Sequence, residues 1–476
     1  MPSSLKRPDV VRSTTYDVRP LFAHVDMNSY FASVEQQANP GLRGRPLGVC
    51  AYLHKAGCVI AASVEAKKCG VKVGMSMEVA KQVCPQMRFI QNDPAKYRTV
   101  SSRVFSLFHE LTDKVEHYSI DEVFLDLAGW YRDEAEAAWA LCRARKRIQS
   151  EVGEWLTCSA GIAPSKFLAK LASEMQKPNG LTIINQENLD EMLATRELED
   201  ACGIGKRIRR RLNLLGIYNL LDLKNYPVGN LIRALGVAGY YWHERLNARE
   251  TDRFEQSGAV AEGSTRYDVR GTMYASSAPK SVGHSFCVPR RANDKNLILP
   301  ILIRLTERAG RRLRSLGHYA RAMVVQIEIV DEKGRRTWDP PASQAIALRA
   351  GVGRGTTIKF ADPVNDPFSL VHAACEALSQ MWHGESVTFL AITLTELVPP
   401  LHQLSFPLRK KSPLCIKGDT PQNAELGVCS AIDQIRDRHG EESIIFASML
   451  GLSSDYAPDR IGFRKTQGLT VRVSED

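Results

Sequence analysis

The sequence predicts an α+β multidomain fold, and three observations carry that prediction. At 476 residues, and at about 150 residues per domain, the chain has length for roughly three domains with buried cores. Short β-rich runs alternate with longer helical stretches up to about residue 184, helical spacing without a strand follows over 190–250, and a second α+β alternation runs from 280 to about 397. Apolar residues make up 44% and charged residues 24% of the chain. That is ordinary usage for a folded protein and excludes wholesale disorder and collagen-like or low-complexity architecture.

Residues 1–20 read as a polar tail carrying Pro2, Pro8 and Pro20. Residues 21–26 form a short apolar run of strand character that ends in the carboxylate of Asp26. Further strands are expected at 47–52, 58–62, 124–127 and 156–162, and helices near 77–83, 97–111, 134–152 and 165–175. Over 190–250, Gly203, Ile204 and Gly205 precede helical spacing at Ile208, Leu212 and Leu215, which marks a small helical module. Residues 251–275 are rich in Gly, Ser, Thr and charge and read as a linker. In the second α+β region, Leu302, Leu305, Ala309, Leu313 and Leu316 share one helical face, and Met323, Val325, Ile327 and Ile329 alternate as a strand. Beyond Pro399 one helical stretch is expected near 424–438, and no repeat of solenoid type is present.

Lys plus Arg exceeds Asp plus Glu by 63 − 53 = +10, a balance that favours polyanionic partners and also bears on solubility. No window reaches the roughly 18 uninterrupted apolar residues of a membrane helix, and the first twenty residues lack the apolar core of a secretory signal. The eleven cysteines include no Cys-x-x-Cys pair and no Cys/His spacing suited to zinc. They read as reduced, mostly buried side chains of a soluble cytoplasmic protein without a membrane partner.

Asp26 ends one strand, and Asp121 and Glu122 lie between the apolar runs 115–118 and 123–127, in the manner of an antiparallel hairpin. If those strands are neighbours, three acids meet. Acids at strand ends gather hard divalent cations, and two such ions activate a hydroxyl and stabilise a leaving pyrophosphate. Acids at these places also cap turns, and strand alternation sends Asp121 and Glu122 to opposite faces unless the turn twists them together.

Four blocks in order carry a family resemblance: DMNSYFASVE from Asp26, YSIDEVFLD from Tyr118, GIAPSKFLAKLASEMQKPNG from Gly161, and the hairpin Gly203, Ile204, Gly205, Lys206. The sequence resembles the Y-family of translesion DNA polymerases over roughly residues 20–397. The resemblance implies a palm with a mixed sheet (21–29 and 96–186), small fingers (30–95), a helical thumb with a helix-hairpin-helix (187–250), a linker (251–275) and an α+β little finger (276–398). Residues 399–476 would form a C-terminal tail. Asp26, Asp121 and Glu122, with the Met27 carbonyl, would hold two Mg²⁺ ions. Asn28 stands where many relatives have a second Asp and is left out of that set.

The resemblance further makes Phe31 a steric gate that clashes with a ribose 2′-hydroxyl; read without it, Phe31 is equally a core residue at a helix start. Tyr30 would pack beside the site or touch the triphosphate. Lys67 and Lys177 would balance the triphosphate, although Val64 and Lys67 replace the Tyr and Arg of the polymerase IV branch, and a Lys lacks the bidentate fork of Arg. The fingers are more similar to the polymerase V branch, the Lys177 to Gly180 stretch to polymerase IV. Taken alone, Lys67 and Lys72 also fit a solvated helix face.

Gly203 and Gly205 let the backbone approach a phosphate at a helix start, reinforced by Lys206, Arg207, Arg209, Arg210 and Arg211. Arg304, Arg308, Arg311, Arg312 and Arg314 line one helix of the expected little finger and are read as outward-facing contacts to DNA phosphates, which carry no sequence information. Gln403, Leu404, Ser405 and Phe406 resemble a sliding-clamp peptide, with a plain linker as the other reading. The expected activity is template-directed, low-fidelity addition of a dNTP to a DNA primer 3′ end on damaged templates, by a monomer. A noncatalytic DNA-binding accessory subunit of the same fold and a nucleotide cyclase of palm type are the alternatives.

Overall fold

The computed structural model describes residues 19–53, 57–249, 266–267, 273–274, 279–330, 354–399 and 421–452. The chain divides into two compact units at residues 260 and 261.

The first unit is built on β1 (Phe22–Met27), α1 (Tyr30–Ala38), β2 (Leu47–Cys50), β3 (Val59–Ala62), α2 (Val64–Lys68), α3 (Met77–Val83), β4 (Arg88–Gln91) and α4 (Pro94–His109). It continues through β5 (Val115–His117), β6 (Glu122–Asp126), α5 (Glu134–Arg147), β7 (Cys158–Ala163), α6 (Lys166–Met175) and β8 (Leu181–Ile183). A five-stranded sheet in the order β5-β6-β1-β7-β8 forms its centre. Every residue of β1 is buried, as expected of a strand paired on both edges and covered on both faces.

Strand alternation divides β1 between two cores. Ala23, Val25 and Met27 pack with Tyr97, Val104, Phe105 and Phe108 of α4 and Leu141 of α5, whereas Phe22 packs with Phe167, Leu168 and Leu171 of α6. His24 and Asp26 therefore point to the α6 side. Gly161 on β7 makes that close layer possible, since a Cβ there would lie 2.2 Å from the Ala169 carbonyl oxygen and 2.4 Å from the Ser173 nitrogen.

A smaller sheet in the order β3-β2-β4, with α2 and α3, encloses a core of Cys50, Val59, Ala62, Ala66, Val71, Ala80, Cys84 and Met87. The helical module comprises α7 (Leu189–Ala194), α8 (Lys206–Asn213), α9 (Leu220–Asn225), α10 (Val228–Leu235) and α11 (Val237–Leu246), packed around Leu193, Leu212, Leu220, Leu231 and Trp242.

The second unit begins with the two-residue strands β9 (Arg266–Tyr267) and β10 (Met273–Tyr274). It continues with β11 (Ser281–Ala292), α12 (Lys295–Ser315), β12 (Tyr319–Val330), β13 (Arg354–Val364), α13 (Pro367–Met381), β14 (Ser386–Val398) and α14 (Pro421–His439). The four long strands form an antiparallel sheet in the order β11-β14-β12-β13. Its helix α12 buries Ile298, Ile301, Leu302, Leu305, Ala309 and Leu313, one turn or more longer at the N-terminal end than the apolar spacing alone marks.

The strand and helix positions expected from the sequence are found with ends shifted by a few residues, and residues 148–152 wind as a π-helical turn rather than extending α5. Among the described residues no disulfide is formed and no helix is long and apolar enough to cross a membrane.

Candidate active site

β1 and β6 run antiparallel with Asp26 directly opposite Glu122, so their side chains leave the sheet on one face. Asp121 precedes β6 in a bend, where its backbone carbonyl accepts a hydrogen bond from the Met27 N–H at 3.0 Å. The Ser119 hydroxyl donates to Asp121 Oδ1 at 2.5 Å, and Ser119 Oγ in turn accepts from the N–H groups of Asp121 and Glu122. The bend thus ties the backbone of Asp121 to the end of β1.

Burial pushes the Asp26 carboxyl up to about 7 against the pull of Lys177, and the charges of Asp121 and Glu122 add to the rise. Burial raises Asp121 as well. Glu122 goes the other way: burial opposes its charge, but the His24 ring and the Lys170 ammonium outweigh it and hold the carboxyl near 2.

Two lysines supply the countercharge, Lys177 Nζ at 2.9 Å from Asp26 Oδ2 and Lys170 Nζ at 2.7 Å from Glu122 Oε2. Lys177 also reaches Glu174, at 2.5 Å. Among the described residues, no three His, Cys, Asp or Glu side chains are grouped as a ready-made metal cluster. The expected convergence of three chelating oxygens is therefore modified: buried carboxylates demand compensation, and α6 and the loop after it provide ammonium groups. The donor set itself suits a hard divalent ion, being carboxylate oxygens whose burial and mutual repulsion such an ion relieves.

Asn28 has a different task from its neighbours. Its side-chain carbonyl accepts from the Asn179 N–H at 2.7 Å and the Thr157 hydroxyl at 3.1 Å, and its amide donates to Ser159 at 2.9 Å. It ties the end of β1 to β7 and to the loop that carries Lys177. An amide, unlike a carboxylate, can both donate and accept in this way.

Phe31 on α1 stacks on Tyr97 of α4, with ring centroids 4.4 Å apart and planes 16° from parallel. Tyr97 is anchored by its own hydroxyl donating to Glu35 at 2.8 Å, which Lys96 also holds. Tyr30 packs beside the acids, and its hydroxyl donates to the Tyr97 backbone carbonyl at 2.7 Å. Lys67 is an exposed residue of α2. Its pKa is lowered by desolvation and then by the like charge of Lys177, against the opposing pull of Asp26, Glu174 and Asp121.

His24 and Lys170 act on the Glu122 carboxyl, and the sequence motifs do not single them out. His24 is fully buried, with Nδ1 2.7 Å from the Ser173 hydroxyl and Nε2 3.6 Å from Glu122 Oε2, beyond hydrogen-bond length. A signal for them is present, since His24 shares the strand face of Asp26, and Lys166, Lys170 and Lys177 lie in one block with helical spacing.

In the helical module, Gly203 has φ +96°, a conformation that favours glycine, and Gly205 precedes α8. Lys206, Arg207 and Arg210 are exposed, whereas Arg209 pairs with Glu199 at 3.1 Å and Arg211 donates to the Ala234 carbonyl.

The arginines of α12 depart from expectation. Arg304 meets Glu442 at 3.3 Å, Arg308 meets Glu441 at 2.7 Å, Arg311 pairs with Asp437, and Arg314 meets Asp433 at 2.6 Å. Arg304, 6% exposed, is not outward-facing at all. Acids more than a hundred residues away in sequence satisfy the row, a pairing invisible to local spacing. Gln403, Leu404, Ser405 and Phe406 lie outside the described residues.

The impB/mucB/samB family model matches residues 25–174, and the model of that family's C-terminal domain matches residues 279–406. The chain belongs to this family, the Y-family of translesion DNA polymerases. The DNA polymerase IV of Pelotomaculum thermopropionicum is 30% identical over 429 residues, covering 89% of this chain and 94% of the relative. That of Moorella thermoacetica is 31% identical over 429 residues, covering 88% and 93%. One from Staphylococcus aureus is 34% identical over 305 residues, covering 64% and 80%. A solved Y-family DNA polymerase chimera of Dbh and Dpo4 aligns with a TM-score of 0.62 at 24% identity, over 80% of this chain and 100% of that one, which shows a common fold. In the terms of this family, the five-stranded sheet is the palm, the smaller sheet the fingers, the helical module the thumb and the second α+β unit the little finger.

Proposed function

We propose that this Y-family polymerase extends a DNA primer opposite damaged template bases with low fidelity, by nucleotidyl transfer assisted by two Mg²⁺ ions. The observation that carries the reading is the Asp26–Glu122 register with Asp121 bonded through its backbone to Met27. Asp26, Asp121, Glu122 and the Met27 carbonyl would hold the ions. Bound there, they would activate the primer hydroxyl and neutralise the departing pyrophosphate.

The chain's own groups do the remaining work. Lys67 and Lys177 balance the charge of the triphosphate as ammonium point charges. Phe31, fixed by Tyr97, fills the space beneath the sugar and excludes a 2′-hydroxyl. The Gly203–Gly205 hairpin turns the first N–H groups of α8 toward a DNA phosphate, with Lys206, Arg207 and Arg210 beside it. The primer 3′ oxygen attacks the α-phosphorus, its proton passes to solvent, and pyrophosphate leaves.

The deciding experiment is Asp121→Ala in a primer-extension assay with a parallel gel-shift. Loss of extension with retained DNA binding supports the assignment, and extension at the wild-type rate overturns it. Templates with an abasic site, an N2-adducted guanine and a pyrimidine dimer test the lesion reading.

A further inference from the structure

Helix α14 and the turn after it run antiparallel to α12, and a series of ion pairs joins them. Arg314, Arg311, Arg308 and Arg304 meet Asp433, Asp437, Glu441 and Glu442 in order, and Arg436 returns a bond to Glu307 at 2.6 Å. The Arg436–Glu307 pair is buried on both sides and sets the register. At one end Ile445, Phe446 and Met449 pack with Leu299, Ile303, Val371 and Cys375, and Cys429 of α14 is buried as well. Between the layers a cavity remains, lined by Arg304, Glu307, Arg308, Arg311, Arg436 and Glu441. The arginines lie largely beneath the acids, with side chains 7% to 28% exposed, while Asp437 and Glu442 remain above 60%.

We propose that the arginine row of α12 is a second nucleic-acid site, covered in this conformation by Asp433 and Asp437 of α14 and by Glu441 and Glu442 of the turn after it, and opened when a DNA strand displaces them. Four guanidinium groups over residues 304–314 span about 15 Å of helix. The guanidinium fork pairs with phosphate as well as with carboxylate, so a strand replaces the acids like for like. The apolar contacts around Met449 would stay in place and act as the pivot, keeping the displaced helix tethered.

The site lies within the second unit, and its test does not depend on catalysis. In the full chain, Asp433→Asn, Asp437→Asn and Glu441→Gln together should raise affinity for a nonspecific duplex several-fold at low salt. They should also steepen the fall of log affinity with log salt by about 2 to 3, at about 0.9 for each further phosphate neutralised. Adding Arg308→Gln, Arg311→Gln and Arg314→Gln should return the slope to the wild-type value. In the unaltered protein, amide hydrogen exchange over 430–439 should accelerate when an oligonucleotide is added. An unchanged slope in the acid-substituted variant overturns the proposal, and so does a steep slope that survives loss of the arginines. So does exchange in the unaltered protein that responds to polyglutamate but not to DNA, or to neither. Primer extension is not read, so failure of the catalytic assignment leaves these outcomes distinguishable.

Discussion

Asp26 and Glu122 face each other as Cα partners across β1 and β6, yet their carboxyls sit at opposite ends of the scale, about 7 for Asp26 and about 2 for Glu122. Burial acts on both. The difference comes from neighbours: Glu122 has His24 and Lys170, whereas Asp26 shares Lys177 with Glu174 and lies beside two further acids. Paired sites in catalytic clefts show this kind of divergence.

The Asp26 rise sets a stability prediction. Its folded-state pKa lies above the ordinary 3.8, so the folded form holds a proton that the unfolded chain gives up. Stability from this group is present at low pH and is lost as pH rises from about 4 to about 7. In metal-free buffer, Asp26→Asn should raise Tm at pH 8 and leave it nearly unchanged at pH 4. Calorimetry at the two pH values checks this.

His24 acts in the opposite limb. Burial lowers its imidazole from 6.5 to about 4, so its contribution is complete above pH 6.5 and is lost as pH falls toward 4. The full span corresponds to about 3 kcal/mol. His24→Leu should flatten the acid side of a Tm–pH curve, and an equally steep curve in the variant contradicts the assignment.

Sugar selection should depend on two rings rather than one. Phe31→Ala is expected to raise ribonucleotide incorporation, and Tyr97→Ala to raise it as well by removing the surface on which Phe31 stacks at 4.4 Å. Tyr97→Phe keeps that surface and should keep selectivity. Competing dNTP and rNTP incorporation by the three variants measures the effect.

Gly161→Ala should be among the most damaging single changes. The added methyl meets backbone atoms of Ala169 and Ser173 rather than a movable side chain. Since α6 carries Lys170 and precedes Lys177, the displacement reaches both acids. Loss of stability by a few kcal/mol, read by chemical denaturation, is the expected result.

Much of the palm is legible in the sequence because its signals are local. Alternation and apolar runs mark β1 and β7, and Ser165 caps α6 as its sequence position suggests. The Asp26, Asp121 and Glu122 grouping is legible through flanking words rather than spacing. The lysine countercharges, the Asn28 links and the α12–α14 pairing are not, because each joins residues brought together only by tertiary packing. A row of arginines has the same pattern whether it faces solvent, phosphate or carboxylate. What distinguishes these cases is the opposing surface.

The placement of Asp26 on the middle strand of the palm, with partners on both edges, has a mechanical consequence. Such a strand opens only when the whole sheet melts, so its amides should belong to the slowest-exchanging set in the molecule. The small three-stranded sheet, packed by the helix α2 that carries Lys67 and enclosing few large side chains, should exchange sooner. Strain imposed on the first unit would then be taken up by that compliant layer, while the strand bearing Asp26 keeps its shape.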